Sequence, residues 1–406
     1  MRILLITQLF DPENSIKGLE FARRLKRVGH DVEVVTTFPS YPGGKIFPGY
    51  KQSWKKVDLI DGIKVVRLPT FVSHGRSAAK RMLSYVSFGL IATLYSMFRA
   101  KKPDVIYAYY PPLIVGFVAL CVGTFRKVPF VYDVQDLWPD ALIATGMVKE
   151  GLVTRMVDRL CNTVYRRAAR IVVLSDGYKN ALVTKKVPTA KLERIYNWCD
   201  EARMDVSTTN TRVLDKNFFN ILYAGNLGAA QALEHVIDAA HLLKRSDSPM
   251  IRFVFIGAGV KADNLKSRVE TLGLDNVQFL PPVSLENISG VLGAADVLLV
   301  HLADEPVFEI TIPSKTQAYL MQGKPILMAV RGEAAQIIVK AQAGIAVDPC
   351  NPKQLAEAAI AMSTLASTEL CAMGARGRAF YQKHMSMAAG VQNVDTMLKA
   401  IKHTAN

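Results

Sequence analysis

The segment Glu305–Pro325 places Pro313, Ser314 and Lys315 after the apolar run Val297–Val300 and directly before a helix-length stretch. Where a loop leaves a strand's carboxyl end and enters a helix, the unpaired N–H groups of the first turn point outward and attract anions. Pro313 suits that first turn, and Ser314 and Lys315 add a hydroxyl and a positive charge, a combination suited to a diphosphate. An ordinary strand–loop–helix connection would use the same residues without a ligand. A second cluster, Asp133, Asp136 and Asp140, surrounds Trp138 at the end of the strand-like run Phe130–Asp133. Here a carboxylate can orient or deprotonate a hydroxyl. Alternatively, Asp136 or Asp140 accepts from first-turn N–H groups as a helix cap. The structural role fits Asp133 and Asp140 better, and Asp136 stays open to both.

Two glycine turns add weaker signals. Gly225, Asn226, Gly228 and Gln231 follow the run Asn220–Ala224; the glycines permit close backbone approach, and the two amides donate hydrogen bonds without charge. Gly257-Ala258-Gly259-Val260-Lys261-Ala262 matches the dinucleotide pattern G-x-G-x-x-A. That pattern also calls for an acid at the end of the next strand, where this chain has Leu280-Pro281-Pro282. A nicotinamide cofactor is therefore the minor alternative.

These residues need a frame, and the hydrophobic pattern supplies one. Strand-like runs at Ile3–Thr7, Asp31–Thr36, Lys64–Arg67, Val105–Tyr109, Phe130–Asp133 and Ile171–Leu174 alternate with helix-like segments such as Gly18–Gly29. A polar stretch, Glu201–Lys216, reads as a linker. Beyond it a second series begins with strands at Asn220–Ala224, Arg252–Ile256, Val277–Leu280, Val297–His301, Pro325–Val330 and Gly344–Val347. Its helices fall at Leu233–Leu243, Lys261–Leu272 and Leu285–Ala294, and one long helical segment spans Ala375–His403. Continuous apolar strands alternating with helices predict parallel sheets covered on both faces, hence two α/β domains and a cleft for two substrates. The length, 406 residues, agrees with two cores.

Five widely spaced cysteines without a C-x-x-C pair point to a reduced, cytoplasmic chain with no cysteine metal site. The opening run Met1–Ile6 is too short for a signal peptide and reads as the first buried strand. The net charge of +15 suggests an anionic partner, and its distribution narrows the choice. Between Gly62 and Tyr132 the one acid is Asp104, whereas Arg76, Lys80, Arg81, Arg99, Lys101 and Lys102 are among the bases. The uncharged run between Arg81 and Arg99 would be roughly 26 Å long as a helix, short of a bilayer core of about 30 Å. A helix lying in an anionic membrane interface fits better, with a buried helix under the sheet as the alternative. No recognition motif supports nucleic acid.

Taken together, the chain resembles the retaining GT-B glycosyltransferases of family 4, and within them the bacterial surface-polysaccharide subgroup described as L-fucosamine (N-acetyl-fucosamine) transferase-like. The resemblance rests on Gly29-His30-Asp31-Val32, Val134-Gln135-Asp136-Leu137-Trp138-Pro139, Ala224-Gly225-Asn226-Leu227-Gly228, Phe255-Ile256-Gly257-Ala258-Gly259, Ala294-Ala295-Asp296-Val297, and Pro313-Ser314-Lys315 with Gly323-Lys324-Pro325, in that order. It implies an acceptor-binding domain over residues 1–200, a nucleotide-sugar domain over 201–380, and a helix at 381–406 packing back on the first domain; the charge and the apolar run put the membrane-associating region of the first domain near 76–127. It further implies a UDP-sugar donor with the base held by backbone after Ile256 and Leu280, near Pro281, the diphosphate held by the Gly225 turn and Ser314, and no cofactor or metal. On the acceptor side it implies Asn14, Ser15, Gly18, Gln135 and Trp138, a polyprenyl-diphosphate-linked saccharide, and a peripheral location on the cytoplasmic face of the inner membrane.

The chain departs from the family pattern in three places. Asn226 and Gln231 stand where basic residues are common, which leaves Lys315 to supply the charge. The usual E-x7-E carboxylates would fall near Ile310 and Ala318, so Glu305 and Glu309 are the substitutes. Gln135 replaces a histidine before Asp136. The expected catalytic set is Asp136, Lys315 and Glu305. A UDP-sugar epimerase of the same architecture and a non-catalytic membrane scaffold are the alternatives.

Overall fold

The structure, a computed structural model, describes residues 1–73, 78–110, 113–139, 151–204, 214–244, 250–284 and 286–405. Arg76, Asp140, Leu285 and residues 205–213 of the expected linker lie outside these. The chain divides into two units, Met1–Tyr196 with Gly390–Asn406, and Asn197–Ala389.

Unit 1 holds β1 (Arg2–Thr7), β2 (Asp31–Thr37), β3 (Lys56–Ile60), β4 (Ile63–Leu68), β5 (Val105–Tyr110), β6 (Phe130–Val134), β7 (Arg170–Val173) and β8 (Leu192–Arg194). They form one sheet in the order β3-β4-β2-β1-β5-β6-β7-β8, parallel except for β3 against β4. Strand order reverses between β1 and β5, so the loops after these two strands border the switch-point crevice. The apolar runs were informative because a parallel sheet buries both faces: Ile3, Leu5, Val34, Val65, Ile106 and Val131 have no exposed surface. Strands β3 and β8 escaped the pattern, since β3 is an edge strand with mostly exposed residues and β8 is three residues long.

Unit 2 contains β9 (Phe219–Ala224), β10 (Ile251–Ile256), β11 (Val277–Leu280), β12 (Val297–His301), β13 (Ile326–Ala329) and β14 (Gly344–Val347). This sheet is wholly parallel, in the order β11-β10-β9-β12-β13-β14, with its switch point between β9 and β12. The turn carrying Gly225 and the loop leading to Lys315 therefore leave the two strands that flank the switch point.

The helical segment expected at Ala375–His403 is two helices, Ser367–His384 and Met387–Ala405, separated at Met385-Ser386 without a glycine or proline to signal the break. In unit 1 the last helix buries Val391, Val394, Leu398 and Ile401, a spacing of three and four residues. Its Asp395 accepts from His30 Nε2 at 2.9 Å. Among the described residues no single helix is long and apolar enough to cross a membrane.

Candidate functional site

In unit 2 the helix Ser314–Gln322 begins after Pro313, which stands as its N-cap rather than inside the first turn. No side chain caps this end; Thr316 N turns back to Pro313 O at 2.8 Å, and the N–H groups of Ser314 and Lys315 are left for solvent or a ligand. Lys315 folds back from the helix so that its Nζ lies 4.7 Å from the centroid of the Tyr223 ring. A Cβ on Gly225 would stand 2.6 Å from Lys315 Cε, so glycine is what lets the lysine lie across this turn. Crowding removes water from the ammonium and brings its pKa down to about 8. Half-buried, desolvated and resting on an aromatic face, this cation is poised to gain from an incoming anion.

The surrounding turn is braced from below. Tyr319 of the same helix accepts from Ala224 N at 3.1 Å, and Tyr223 donates to Asn226 O at 2.8 Å. Gln231 Oε1 accepts from Gly228 N at 3.1 Å and from Asn226 Nδ2 at 3.3 Å. Both amides expected to face a ligand thus also close their own loop. At the end of β12, buried His301 donates from Nδ1 to Gln231 O at 2.8 Å, and desolvation lowers its pKa to about 4. The imidazole is therefore a neutral strut under the loop.

Gly257 and Gly259 serve a different purpose from the dinucleotide pattern. A Cβ on Gly257 would collide with Gly225 O, and one on Gly259 would collide with Leu227 O. Gly225 N donates to Ile256 O at 2.8 Å, and Leu227 N to Ala258 O at 2.9 Å. These glycines let two neighbouring turns pack backbone to backbone.

Glu305 is exposed and precedes the short helix Pro306–Glu309 without capping it through its side chain. Glu309 is also exposed, and its backbone packs against Gly332, which has φ +88° and no room for a Cβ. Pro281 follows β11 at the surface, and Ile310 and Ala318 are half-buried.

Unit 1 builds a second polar cluster at its own switch point. The loop after β1 carries exposed Asn14, half-buried Ser15, and Lys17 and Gly18, both buried. Lys17 Nζ forms a fully buried ion pair with Asp133 at the end of β6. Asp133 also accepts from Tyr107 OH at 2.5 Å and, through its other oxygen, from Gln135 Nε2 at 2.5 Å. Glu13 is held in the same loop by N–H groups of Ser40 and Tyr41, each at 2.7 Å. Asp136, next in the chain, has an exposed side chain, yet the atoms crowding its carboxyl raise its pKa by desolvation. Such a carboxylate has more proton affinity than a fully hydrated one, which suits accepting from a hydroxyl. Trp138 is largely buried and packs as part of the core.

Sequence reasoning missed Lys17, Tyr223, His301 and Tyr319. Tyr223 sits in an apolar run and looks like core, and His301 closes a buried strand; their positions at the carboxyl ends of β9 and β12 were the available signal, whereas Tyr319, inside the helix Ser314–Gln322, and Lys17 carry none.

Comparison with known proteins agrees with this arrangement. Residues 19–198 match the family described as Glycosyl transferase 4-like domain, and residues 209–377 match Glycosyl transferases group 1. The chain is 27% identical over 376 residues to the putative colanic acid biosynthesis glycosyl transferase WcaI of Escherichia coli K12, covering 89% of this chain and 91% of that one. It is 26% identical over 300 residues to the probable glycosyltransferase WbjE of Pseudomonas aeruginosa, covering 71% and 72%. Among solved structures, Anabaena Alr3699/HepE in complex with UDP and glucose superimposes with a TM-score of 0.68 at 17% identity, covering 98% and 100% of the two chains. Two parallel-sheet Rossmann-like units with polar sites at their switch points, matched in this way, define a glycosyltransferase of the GT-B fold.

Proposed function

We propose that this glycosyltransferase moves a sugar from a UDP-sugar to an undecaprenyl-diphosphate-linked saccharide, with retention of configuration, in bacterial surface polysaccharide assembly at the cytoplasmic face of the inner membrane. In this reading the donor sugar is an N-acetylated 6-deoxyhexose such as L-FucNAc. The observation that carries the donor side is Lys315, a desolvated ammonium laid across the Gly225 turn beside an uncapped helix start. The similarity to WcaI and WbjE supports the polysaccharide setting.

Unit 2 would take the donor, with the base near Gly257 and Pro281 and the diphosphate at Gly225, Ser314 and Lys315. Glu305 and Glu309 would serve its hydroxyls. Unit 1 would take the acceptor along Asn14, Ser15, Gly18 and Gln135, with Asp136 receiving a hydrogen bond from the attacking hydroxyl. The bond between the anomeric carbon and the β-phosphate oxygen breaks, and its electron pair leaves with UDP. The acceptor oxygen bonds to the anomeric carbon on the same face, and its proton passes to the departing phosphate. Lys315 and the helix N–H groups stabilise the charge that grows on that phosphate, so the reading requires no metal.

A thermal-shift panel of nucleotide sugars tests the donor class. UDP-sugars should raise the melting temperature in a concentration-dependent way. If no uridine nucleotide shifts it, the donor assignment is wrong.

A further inference from the structure

We infer that the outer face of helix Ala78–Phe98, continued by its neighbours, docks flat on an anionic phospholipid bilayer, with Trp54 seated at the headgroup level. The inference gives a surface to the membrane location proposed above, and it rests on that reading only for its biological purpose.

The helix packs its inner side on the sheet, burying Ser84, Phe88, Ala92, Tyr95 and Ser96. From Met82 to Phe98 its exposed residues are Met82, Leu83, Val86, Leu90, Leu94 and Phe98, and all are apolar. A helix with one side packed on a sheet and the other in water normally turns a polar face outward. The next helix, Ile114–Arg126, extends the patch: Phe125 meets Phe98 edge to face at 5.4 Å, and Phe117 is 40% exposed. That helix in turn packs against Leu152–Arg167, whose Leu152, Val153 and Met156 are all at least 66% exposed. Exposed apolar side chains on three successively packed helices mark an interaction surface.

The charges select the occupant. Lys80 and Arg81 lie at one end of the stripe, and Arg99, Lys101 and Lys102 at the other. A second copy would have to pair this face with itself, and in either relative direction of the helices base would meet base. An anionic headgroup layer instead satisfies both ends while the stripe enters the acyl boundary. Trp54 adds an independent mark. It is 86% exposed between Lys51 and Lys55, and Gln52 ties its segment to the helix through Thr70, whose hydroxyl meets Ser87 Oγ at 2.8 Å. An indole flanked by bases is the side chain favoured where water meets lipid.

Co-sedimentation with phosphatidylglycerol-containing vesicles, without donor or acceptor, tests the surface separately from the chemistry. The wild-type chain should bind these vesicles and bind pure phosphatidylcholine vesicles at least about tenfold less. The double variant Leu90→Glu/Leu94→Glu should lose about tenfold or more in partitioning, and Trp54→Ala should lose part of it, each with an unchanged melting temperature and unchanged UDP binding. Binding that survives the double variant, or that is equal on neutral vesicles, overturns the proposal. So does a concentration-dependent dimer that the double variant dissociates while vesicle binding persists. Failure here would leave UDP-sugar turnover, measured with a water-soluble acceptor, standing on its own.

Discussion

Lys17 and Asp133, 116 residues apart, form an ion pair with no exposed surface on either side chain, and that pair joins the loop after β1 to the end of β6. Tyr107 and Gln135 also donate to the carboxylate, one to each oxygen, so the charge is solvated by protein instead of water. The arrangement fixes the backbone from which Asp136 projects.

Removing one partner should be costly. Lys17→Met leaves a buried carboxylate uncompensated and should destabilise unit 1 by roughly 3–5 kcal/mol in urea unfolding. Adding Asp133→Asn should restore part of that loss. A single variant as stable as the wild type would mean that water reaches the pair.

The pH dependence of donor binding follows from Lys315. Its pKa in the unliganded chain is about 8, below the ordinary 10.5, so the ammonium begins to lose its proton near pH 7 and is half neutral at about pH 8. A bound diphosphate favours the charged form, and UDP affinity should therefore be flat below about pH 7 and bend downward near pH 8. Above it, affinity should fall by up to about tenfold per pH unit. Calorimetry across pH 6.5–9.5 reads this directly, and Lys315→Met should abolish the slope. A slope that persists in the variant would assign the titration to another group.

Acid stability should depend on His301. The folded chain keeps this ring neutral down to about pH 4, whereas the unfolded chain takes up a proton near pH 6.5. Between these values the unfolded state binds more protons, so stability is full above pH 6.5 and falls as pH drops toward 4. The total loss should be roughly 3 kcal/mol. His301→Gln should flatten that part of the profile in equilibrium unfolding of unit 2.

Gly257 offers a test of the turn packing. Gly257→Ala forces a Cβ into Gly225 O at φ +145° and should cost roughly 2–5 kcal/mol. Gly29→Ala, at φ +95° with nothing within 4 Å, should cost about 1 kcal/mol, since it meets strain without collision. Equal losses would contradict the backbone-to-backbone account.

What the sequence made legible follows from the same physics. Buried parallel strands are apolar on both faces, so the apolar stretches Ile3–Ile6, Val105–Tyr110, Ile221–Ala224, Phe253–Ile256 and Val297–Val300 stand out within β1, β5, β9, β10 and β12. Edge strand β3, with Lys56 and Leu59 both exposed, does not. The Gly225 turn and the Ser314 helix start were readable because glycine and proline constrain the backbone locally. The pairing of Lys17 with Asp133, and the bracing of Ala224 by Tyr319, are set by tertiary packing across 116 and 95 residues, and no local pattern encodes them. The apolar run after Arg81 was legible as a helix, but only the fold separates its buried side from its exposed one.

The central claim is that Lys315 stabilises a departing nucleoside diphosphate during glycosyl transfer. Steady-state transfer from the UDP-sugar identified by the thermal-shift panel, compared between wild type and Lys315→Ala, tests it most directly. The expected result is a loss of roughly 10²–10³ in kcat with the fold intact, the size seen when a preorganised charge stabiliser is removed. Undiminished turnover in a Lys315→Ala chain of unchanged melting temperature would contradict the account.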